Sequence, residues 1–344
     1  MPVGGKRVFV VLPVQRVECR SCGELRQDRV DFAQEKKRYT RAFERYALEL
    51  LRHMTIKDVA RHLGISWDVI KEIQKRHLQR RFGRPRLKHV RFLCVDEISI
   101  GKGHRYLTVV LDWETGKVVY VGDGKGGEAL LPFWKRLRAS HAKVQAIAMD
   151  MSPAYIEAIG KHLPDAQIVF DRFHVVKLYN EKLSDLRRDL QREAESLQHK
   201  EVLKGTRWLL LKNPENLNPD RDEKRRLEEA LQLNQPLATA YYLKEDLRTF
   251  WDQPDKETAE AFLEDRIARA EASGIKMLRK FAKTLAGHRS GLLAYYDYPL
   301  SSGPLEGTNN KIETVKRQAY GFRHPEFLKL RILGIHETKY ALVG

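Results

Sequence analysis

Hydrophobic residues between positions 92 and 150 fall into short runs separated by turn residues. Their length and β-branched content are typical of buried strands. The four runs are 92–95, 106–111, 117–121 and 144–149. A helical segment at 128–138 precedes the fourth run, and the first and fourth runs end in Asp96 and Asp150. The pattern predicts three strands, a helix and a further strand, with an acid at two strand ends.

That order of elements is the order of an RNase H-like core, in which carboxylates at adjacent strand ends meet around a metal ion. One strand that ends in aspartate indicates little, because aspartate is common where strands stop, but two in this order indicate a metal site. A fifth run, 167–170, ends in Asp171, and His174 follows. We expect Asp171 and His174 to support the site rather than to hold the metal. For His174, a purely structural position at the sheet edge is the alternative.

Helical periodicity precedes the strands. Residues 36–51 carry apolar side chains at three- and four-residue steps, which is typical of an amphipathic helix. Thr55 and Ser66 are predicted caps of the next two helices, and Gly64 permits the tight left-handed turn of a helix-turn-helix between them. The second of these helices is predicted at 67–78. A plain helical hairpin is the alternative.

The second helix is predicted to expose side chains suited to phosphates and base edges in a DNA major groove. These are Lys71, Gln74, Lys75 and Arg76. A basic linker broken by glycine and proline follows the helix. Its cations are Arg80, Arg81, Arg84, Arg86 and Lys88. We expect this linker to lie along DNA, and a solvated hinge is the alternative.

Two cysteines early in the chain have the spacing of one zinc knuckle. Two residues separate Cys19 from Cys22, but a closed structural zinc site needs four ligands. No second pair lies nearby, since Cys94 falls in a predicted core strand and the first histidine is His53. The knuckle is therefore either a loop without metal or half of a Zn²⁺ site that another chain completes.

The third acid comes late in the sequence. Residues 181–298 are charged, poor in strand patterns and predicted to be helical, with Trp208 and Trp251 as hydrophobic anchors. After this insertion, Pro304 suits a first helical position and Glu306 falls in the first helical turn. Glu306 is either a capping residue favoured by the helix dipole or the third carboxylate of a two-metal site.

The charge of the chain indicates a polyanionic partner. Its 344 residues include 63 lysines and arginines against 46 acids, which gives a net charge of +17, and nucleic acid is the expected partner. A basic and aromatic patch near the end of the chain comprises Lys311, Lys316, Arg317, Tyr320, Phe322 and Arg323. No run reaches the roughly 18 apolar residues that span a bilayer, and three cysteines suit a reducing cytosol.

With these residues in hand, the chain resembles the DDE transposases of the ISL-three insertion-sequence family over nearly its whole length. The resemblance rests on Val95-Asp96-Glu97, Asp150-Met151-Ser152, Asp171-Arg172-Phe173-His174, Trp208-Leu209-Leu210-Leu211, Glu306-Gly307-Thr308-Asn309-Asn310 and Tyr320-Gly321-Phe322-Arg323. It implies that Asp96, Asp150 and Glu306 are catalytic and that a helical insertion precedes the glutamate. It also implies a zinc ribbon and a helix-turn-helix that bind terminal inverted repeats.

The expected fold class is α+β with several domains, in which an RNase H-like α/β core is interrupted by a helical insertion. The expected segments are 1–35 (partial zinc ribbon), 36–90 (helix-turn-helix and linker), 91–180 (core), 181–298 (insertion) and 299–344 (core completion). The expected activity is cleavage of double-stranded DNA at the element's ends and strand transfer into target DNA. We expect two Mg²⁺ ions on the three carboxylates, with Mn²⁺ as a substitute, and a homodimer associated with the bacterial nucleoid in the cytoplasm.

The sequence departs from the family pattern in two places. No cysteine pair precedes Cys19, and Glu313 stands seven positions after Glu306, where the family tends to have a basic residue. The phosphate contact expected there is then assigned to Lys311 or Lys316. Two other functions are considered: an RNase H-like nuclease that cuts without joining, and a helix-turn-helix regulator whose acidic core is inactive. Strand transfer into a plasmid distinguishes the transposase from both.

Overall fold

The computed structural model describes residues 8–27, 30–101 and 103–336. The chain divides into two units, one formed by 1–85 together with 308–344 and the other by 86–307. Each unit has a hydrophobic core of its own. The five segments expected from the sequence do not coincide with this division, since 36–90 and 299–344 each contain residues of both units, and they stay a prediction.

The first unit begins with a two-stranded antiparallel hairpin, β1 (Arg16–Glu18) and β2 (Leu25–Gln27). Three helices follow: α1 (Arg41–Leu50), α2 (Ile56–Leu63) and α3 (Trp67–Phe82). The Thr40 hydroxyl accepts a hydrogen bond from an amide in the first turn of α1, and the Thr55 hydroxyl does the same for α2. These caps satisfy amides that a helix start leaves without a partner.

The turn between α2 and α3 has the geometry of a helix-turn-helix, as predicted. Gly64 ends α2 with a φ of 62°, in the left-handed region that glycine adopts without strain. The core beneath the turn consists of Ala47, Val59, Ala60, Leu63, Ile70 and Ile73. Two details differ from the prediction: Ser66 stands at the N-cap of α3 without a side-chain hydrogen bond, and α3 continues to Phe82.

A five-stranded mixed sheet organises the second unit. Its strands are β3 (Phe92–Gly101), β4 (Arg105–Asp112), β5 (Lys117–Asp123), β6 (Ala146–Met149) and β7 (Gln167–Phe170). The spatial order is β5-β4-β3-β6-β7; β3 to β5 are antiparallel, whereas β6 pairs in parallel with β3 and with β7. Helix α4 (Leu131–Ala139) precedes β6, and α5 (Pro153–His162) connects β6 to β7. The predicted order of these elements is confirmed.

The sheet and its helices share buried apolar side chains. Leu93 and Val95 of β3 and Ile147 of β6 belong to the same core as Phe133 and Trp134 of α4. Full burial of such a side chain contributes about 1.5–3 kcal/mol. This packing holds β3 and β6 side by side and so fixes where the residues that follow them lie.

Helices dominate the rest of the second unit. They are α6 (Arg172–Glu193), α7 (Leu197–Gly205), α8 (Glu223–Leu233), α9 (Gln235–Thr249), α10 (Lys256–Ala272), α11 (Lys276–Gly287) and α12 (Arg289–Leu293). Helix α13 (Gly303–Gln318) begins in this unit and continues into residues of the first unit, to which α14 (Pro325–Leu333) belongs. Among the described residues, no helix combines the length and the apolar character that crossing a membrane requires.

The two tryptophans predicted as anchors of the insertion behave differently. Trp251 is 5% exposed and does anchor the core. Trp208 is 64% exposed, so its predicted role is wrong. Trp208 lies in a turn after α7, and its neighbours Leu209 and Leu210 take the buried positions of that turn instead.

Candidate active site

Three aspartates lie just beyond the parallel-paired segments of three neighbouring strands, β3, β6 and β7, at one edge of the sheet. Asp96 and Asp150 each stand two residues beyond the last paired position of β3 with β6. Asp171 directly follows β7, and its amide donates to the Met149 carbonyl at the end of β6. The strand β3 does not stop at Asp96, as the sequence predicted, but continues to Gly101 because it remains paired with β4.

Asp171 is 2% exposed and uses both carboxylate oxygens in hydrogen bonds. Oδ2 accepts the His174 amide at the start of α6 at 3.2 Å and lies 3.0 Å from Nδ1 of the same residue. Oδ1 accepts the Ser302 amide at 3.0 Å. Burial alone would raise the pKa of Asp171, but these hydrogen bonds outweigh burial and hold the pKa below its usual value. The ionised carboxylate thus ties β7, α6 and the segment before α13 together.

The His174 ring lies between two of the aspartates. Its Nδ1 faces Asp171, and its Nε2 lies 3.8 Å from Oδ1 of Asp96. Burial would lower the pKa of His174, but the hydrogen bond with Asp171 and the charges of the surrounding aspartates raise it. The protonated ring is therefore favoured at this position. These are the contacts that a supporting side chain needs, and the supporting role itself stays a prediction.

Glu306 lies in the first turn of α13 with its side chain exposed. The backbone before this helix is attached to the sheet, because the Ser301 carbonyl accepts a hydrogen bond from the Trp113 indole at 3.1 Å. The next residue, Ser302, donates its amide to Asp171 and accepts the Glu306 amide at its carbonyl, at 2.8 Å. These bonds bring the turn that carries Glu306 to the edge of the sheet where the aspartates lie.

The carboxylates of Asp96, Asp150 and Glu306 do not form a closed cluster. Within residues 8–27, 30–101 and 103–336, no group of three or more His, Cys, Asp or Glu side chains has the geometry to hold a metal ion. Asp96 Oδ1 instead accepts the Glu97 amide at 2.7 Å, and Asp150 Oδ1 accepts the Ser152 amide at 3.0 Å. Hard divalent cations prefer carboxylate oxygens, so the donor chemistry of this edge fits Mg²⁺.

Glu97 is a residue of this edge that the sequence did not single out as a candidate. Its half-buried carboxylate is hydrogen-bonded to the Tyr155 hydroxyl, which also accepts the Gly126 amide at 3.2 Å. Burial raises the pKa of Glu97, and the nearby charge of Asp150 raises it further. The signal in the sequence is an acid directly after Asp96, on a strand that was expected to end there.

The two early cysteines lie on the turn between β1 and β2. The Cys19 thiol is 3.1 Å from the Ser21 hydroxyl, and this hydrogen bond, together with hydrogen bonds to the backbone of Ser21 and Cys22 and to the Cys22 thiol, lowers the pKa of Cys19 to about 6. A thiolate is the form that binds zinc. No third ligand joins Cys19 and Cys22 in the part of the chain that the structure describes, so zinc at this turn stays a prediction.

The outer face of α3 differs from the prediction at Gln74. Lys75 is exposed, and Lys71 is partly exposed with its ammonium 4.9 Å from the centre of the Trp67 ring. Gln74 is 6% exposed, so its predicted exposure is wrong. It follows Ile73 on the side of the helix that packs inward, and a buried amide cannot contact a DNA base.

Arg76 is held inside the first unit. Its guanidinium donates to Gln34 Oε1 at 2.5 Å, to the Tyr39 hydroxyl at 2.7 Å and to Glu44 Oε1 at 3.3 Å. These contacts attach α3 to α1 and to the segment before it. A DNA contact by Arg76 therefore competes with three intramolecular partners.

The other cations predicted to contact DNA lie in two segments, residues 80–88 and 311–323. Arg80 and Arg81 are on the last turn of α3 rather than in the linker, because that helix is longer than predicted. Exposed or partly exposed cations further along the chain are Arg84, Arg86, Lys88, Lys311, Arg317 and Arg323. Lys316 is paired with Glu313 at 2.5 Å. Glu313, which stands where the family tends to have a basic residue, thus forms an ion pair with Lys316. Lys316 is one of the two lysines expected to make the phosphate contact instead.

Comparisons with known proteins agree with a DNA-binding enzyme. A family model described as "Transposase" matches residues 93–332, and one described as the helix-turn-helix domain of transposase family ISL3 matches residues 29–78. The transposase for insertion sequence element IS1001 of Bordetella parapertussis is 35% identical over 337 residues, which cover 96% of this chain and 82% of the relative. The transposase for IS1557 of Mycobacterium tuberculosis (strain CDC 1551 / Oshkosh) is 29% identical over 351 residues, which cover 94% and 78%.

Among solved structures, a chain of the Drosophila P element transposase strand transfer complex superposes with a TM-score of 0.45 at 10% identity, over 90% of this chain and 94% of that chain. A similarity at that level supports no conclusion. The helix-turn-helix and the mixed sheet fit a transposase, which is the class that the family models and the relatives show. The two family models and the IS1001 relative place this chain in the ISL3 family of insertion-sequence transposases.

Proposed function

We propose that Asp96, Asp150 and Glu306 hold the divalent metal ions with which this transposase cuts and joins DNA at the ends of its element. The shared register supports the proposal: Asp96 and Asp150 each stand two residues beyond the parallel pairing of β3 with β6, and Asp171 ties the start of α13 to the same edge. When bound, two Mg²⁺ ions, or Mn²⁺ in their place, supply an activated nucleophile and stabilise the leaving 3′ oxygen.

The protein's own residues then orient the reaction. Asp171 holds the His174 ring and the Ser302 amide, so that the sheet edge and the late helix keep one arrangement. Protonated His174 is placed to donate a hydrogen bond near the scissile phosphate. Water attacks first and frees a 3′ hydroxyl at the element's end. That hydroxyl attacks a phosphate of target DNA in line, the bond from this phosphorus to the target strand's own 3′ oxygen breaks, and no covalent protein intermediate forms.

The first unit is proposed to bind the terminal inverted repeats, with α3 in the major groove. An element has two ends, so two copies of the chain are proposed to act as a homodimer on double-stranded DNA at the nucleoid. Zinc at Cys19 and Cys22 would require two further ligands, because structural zinc takes four.

Cleavage of a duplex that carries the inverted repeat from the flanks of this gene tests the proposal. We expect cleavage at the repeat's end with Mg²⁺ or Mn²⁺ and none with EDTA, followed by joining of the new 3′ end to a plasmid. A product that is cut but never joined indicates a nuclease. Binding without cleavage in every metal tested indicates a regulator.

Changes to Lys71 and Lys75 are expected to alter which end sequence is bound. Removal of a hydrogen bond to a base edge in Lys71→Ala or Lys75→Ala weakens binding of the cognate repeat by about 1–3 kcal/mol, with little effect on unrelated duplex. Competition binding with single-base variants of the repeat measures this. Lys280→Ala, an exposed lysine on α11, is the matched control. Unchanged base preferences in both α3 variants would remove this helix from sequence recognition.

The linker is expected to contact phosphates rather than bases. Neutralisation in the double variant Arg84→Gln/Arg86→Gln removes two counterion-releasing contacts, and the log–log slope of affinity against salt flattens by about two units, at roughly 0.9 per phosphate. Specific and random duplex weaken alike. The control is Arg225→Gln/Arg279→Gln on exposed helices of the insertion. An unchanged slope with loss of the specific end alone would show that the linker reads sequence.

A further inference from the structure

A groove of about 580 Å³ runs along α6 in the second unit. It begins at Phe173, the neighbour of His174, and its far wall is the turn that follows α7. The lining residues that matter here are Phe173, Lys177, Asn180, Lys182, Arg188 and Arg207. One end of the groove therefore opens beside the candidate active site, and the other end lies in the helical insertion.

The lining of the groove carries an excess of positive charge. It contains four basic residues and two acids, and only Arg188 is paired with one of those acids, Asp185. In the part of the chain that the structure describes, Lys177, Lys182 and Arg207 have no carboxylate within ion-pair distance. A polyanion would neutralise this excess, since cationic clefts concentrate anionic ligands.

An exposed tryptophan stands next to the groove on a rigid turn. Trp208 has the Arg207 guanidinium 4.6 Å from the centre of its ring. The turn is held from beneath by Lys244, which is 1% exposed and donates to the Leu210 carbonyl at 2.8 Å and the Lys212 carbonyl at 3.0 Å. Burial of a lysine is costly unless its ammonium is satisfied, so these bonds fix the turn while Trp208 stays in solvent.

Unpaired cations along a groove, with one exposed aromatic ring in its lining and another on the residue next to Arg207, are the chemistry that binds single-stranded nucleic acid. The bases of a duplex are stacked on one another, so that only an unpaired base offers its face to a ring. The volume lies in the range of small-ligand sites, about 300–1,000 Å³, which suits a nucleotide and not a duplex. Phe173, also half exposed, adds a second aromatic surface at the end near His174.

We propose that this groove binds a short unpaired stretch of the DNA strand next to the cleavage site. The phosphates lie against Lys177, Lys182 and Arg207, and a base stacks on the face of Trp208 that Arg207 leaves open. The origin of that strand, an element end opened at the scissile phosphate, rests on the proposed function, whereas binding of unpaired DNA does not depend on catalysis.

The test uses the full chain without divalent metal and compares two probes of equal length. One is an oligothymidylate of about ten nucleotides with 2-aminopurine at one position, and the other is a blunt duplex. Trp208→Ala is expected to weaken binding of the single strand about tenfold and to abolish the stacking quench of 2-aminopurine, with the duplex affinity unchanged. Trp208→Phe retains a ring and is expected to restore most of both signals.

Controls separate stacking from folding. Tyr242→Ala removes another exposed aromatic of the insertion, one whose neighbours in the sequence do not line the groove, and it is expected to change neither probe. Arg207→Gln is expected to weaken binding of the single strand and to flatten the salt dependence of that binding by about one unit of log–log slope.

Equal single-strand affinity and quench in wild type, Trp208→Ala and Arg207→Gln would overturn the proposal, and so would equal losses for both probes. Failure of wild type to cut or join element ends would instead overturn the proposed function and leave the groove result standing.

Discussion

Strand cleavage is expected to fall about a thousandfold or more when Asp96, Asp150 or Glu306 is changed to its amide. The variants Asp96→Asn, Asp150→Asn and Glu306→Gln keep the size of the side chain but remove the charge that a hard cation requires. Loss of several kcal/mol of metal-borne stabilisation of the transition state corresponds to that factor. Single-turnover cleavage of an end duplex, at saturating protein, measures it.

The matched control is Asp165→Asn, an exposed acid ahead of β7, which is expected to cleave normally. Binding to the element's end is expected to stay nearly intact in all variants, because recognition is proposed to lie on the first unit. Substantial cleavage by Asp150→Asn would contradict the assignment and pass the role to Asp171. The bonds of Asp171 to His174 and Ser302 argue against that, since both of its oxygens already accept hydrogen bonds.

The variant Asp171→Ala is expected to lower the free energy of unfolding by about 3 kcal/mol. It removes the cap of α6, and it leaves the buried Ser302 amide without its acceptor. Denaturant unfolding followed at the tryptophans measures this. Because the folded-state pKa of Asp171 is lowered, its contribution is present above the unfolded-state value of about 3.9 and is lost as the pH falls through the folded-state pKa.

Asp255→Ala is the control for this prediction. Asp255 caps α10 in the same way, accepting the Thr258 amide at 2.8 Å, but it is exposed and, among the described residues, makes no bond to a distant segment. A much smaller loss of stability is expected there. Equal losses in the two variants would show that Asp171 acts as an ordinary helix cap and that its bond to Ser302 contributes nothing.

The sheet was predictable because its signals are local. Each strand is a short apolar run, and the acids after the β6 and β7 runs follow the strands directly. The helix-turn-helix was predictable for the same reason, since Thr55 and Gly64 set its caps within a few residues. Pairing partners are not local, and this is why the continuation of β3 to Gly101 along β4 was missed.

Two side chains were misplaced because tertiary packing overrides residue type. Gln74 is polar but follows Ile73 on the face of α3 that is buried, so the phase of the helix decides its burial. Trp208 is apolar, yet Lys244 holds its turn so that Leu209 and Leu210 point inward in its place. The bond between Asp171 and Ser302 joins residues far apart in the sequence, and no spacing rule shows it.

Joining of a pre-cleaved element end to a plasmid tests the central claim most directly. An oligonucleotide duplex that ends in the repeat's 3′ hydroxyl is incubated with the protein, supercoiled plasmid and Mg²⁺. We expect covalent joining by the wild type, none with EDTA and none by Asp96→Asn, although Asp96→Asn still binds the end. Joining by Asp96→Asn at the wild-type rate would contradict the account. A wild type that cuts intact ends in Mg²⁺ but never joins the pre-cleaved end would contradict it as well.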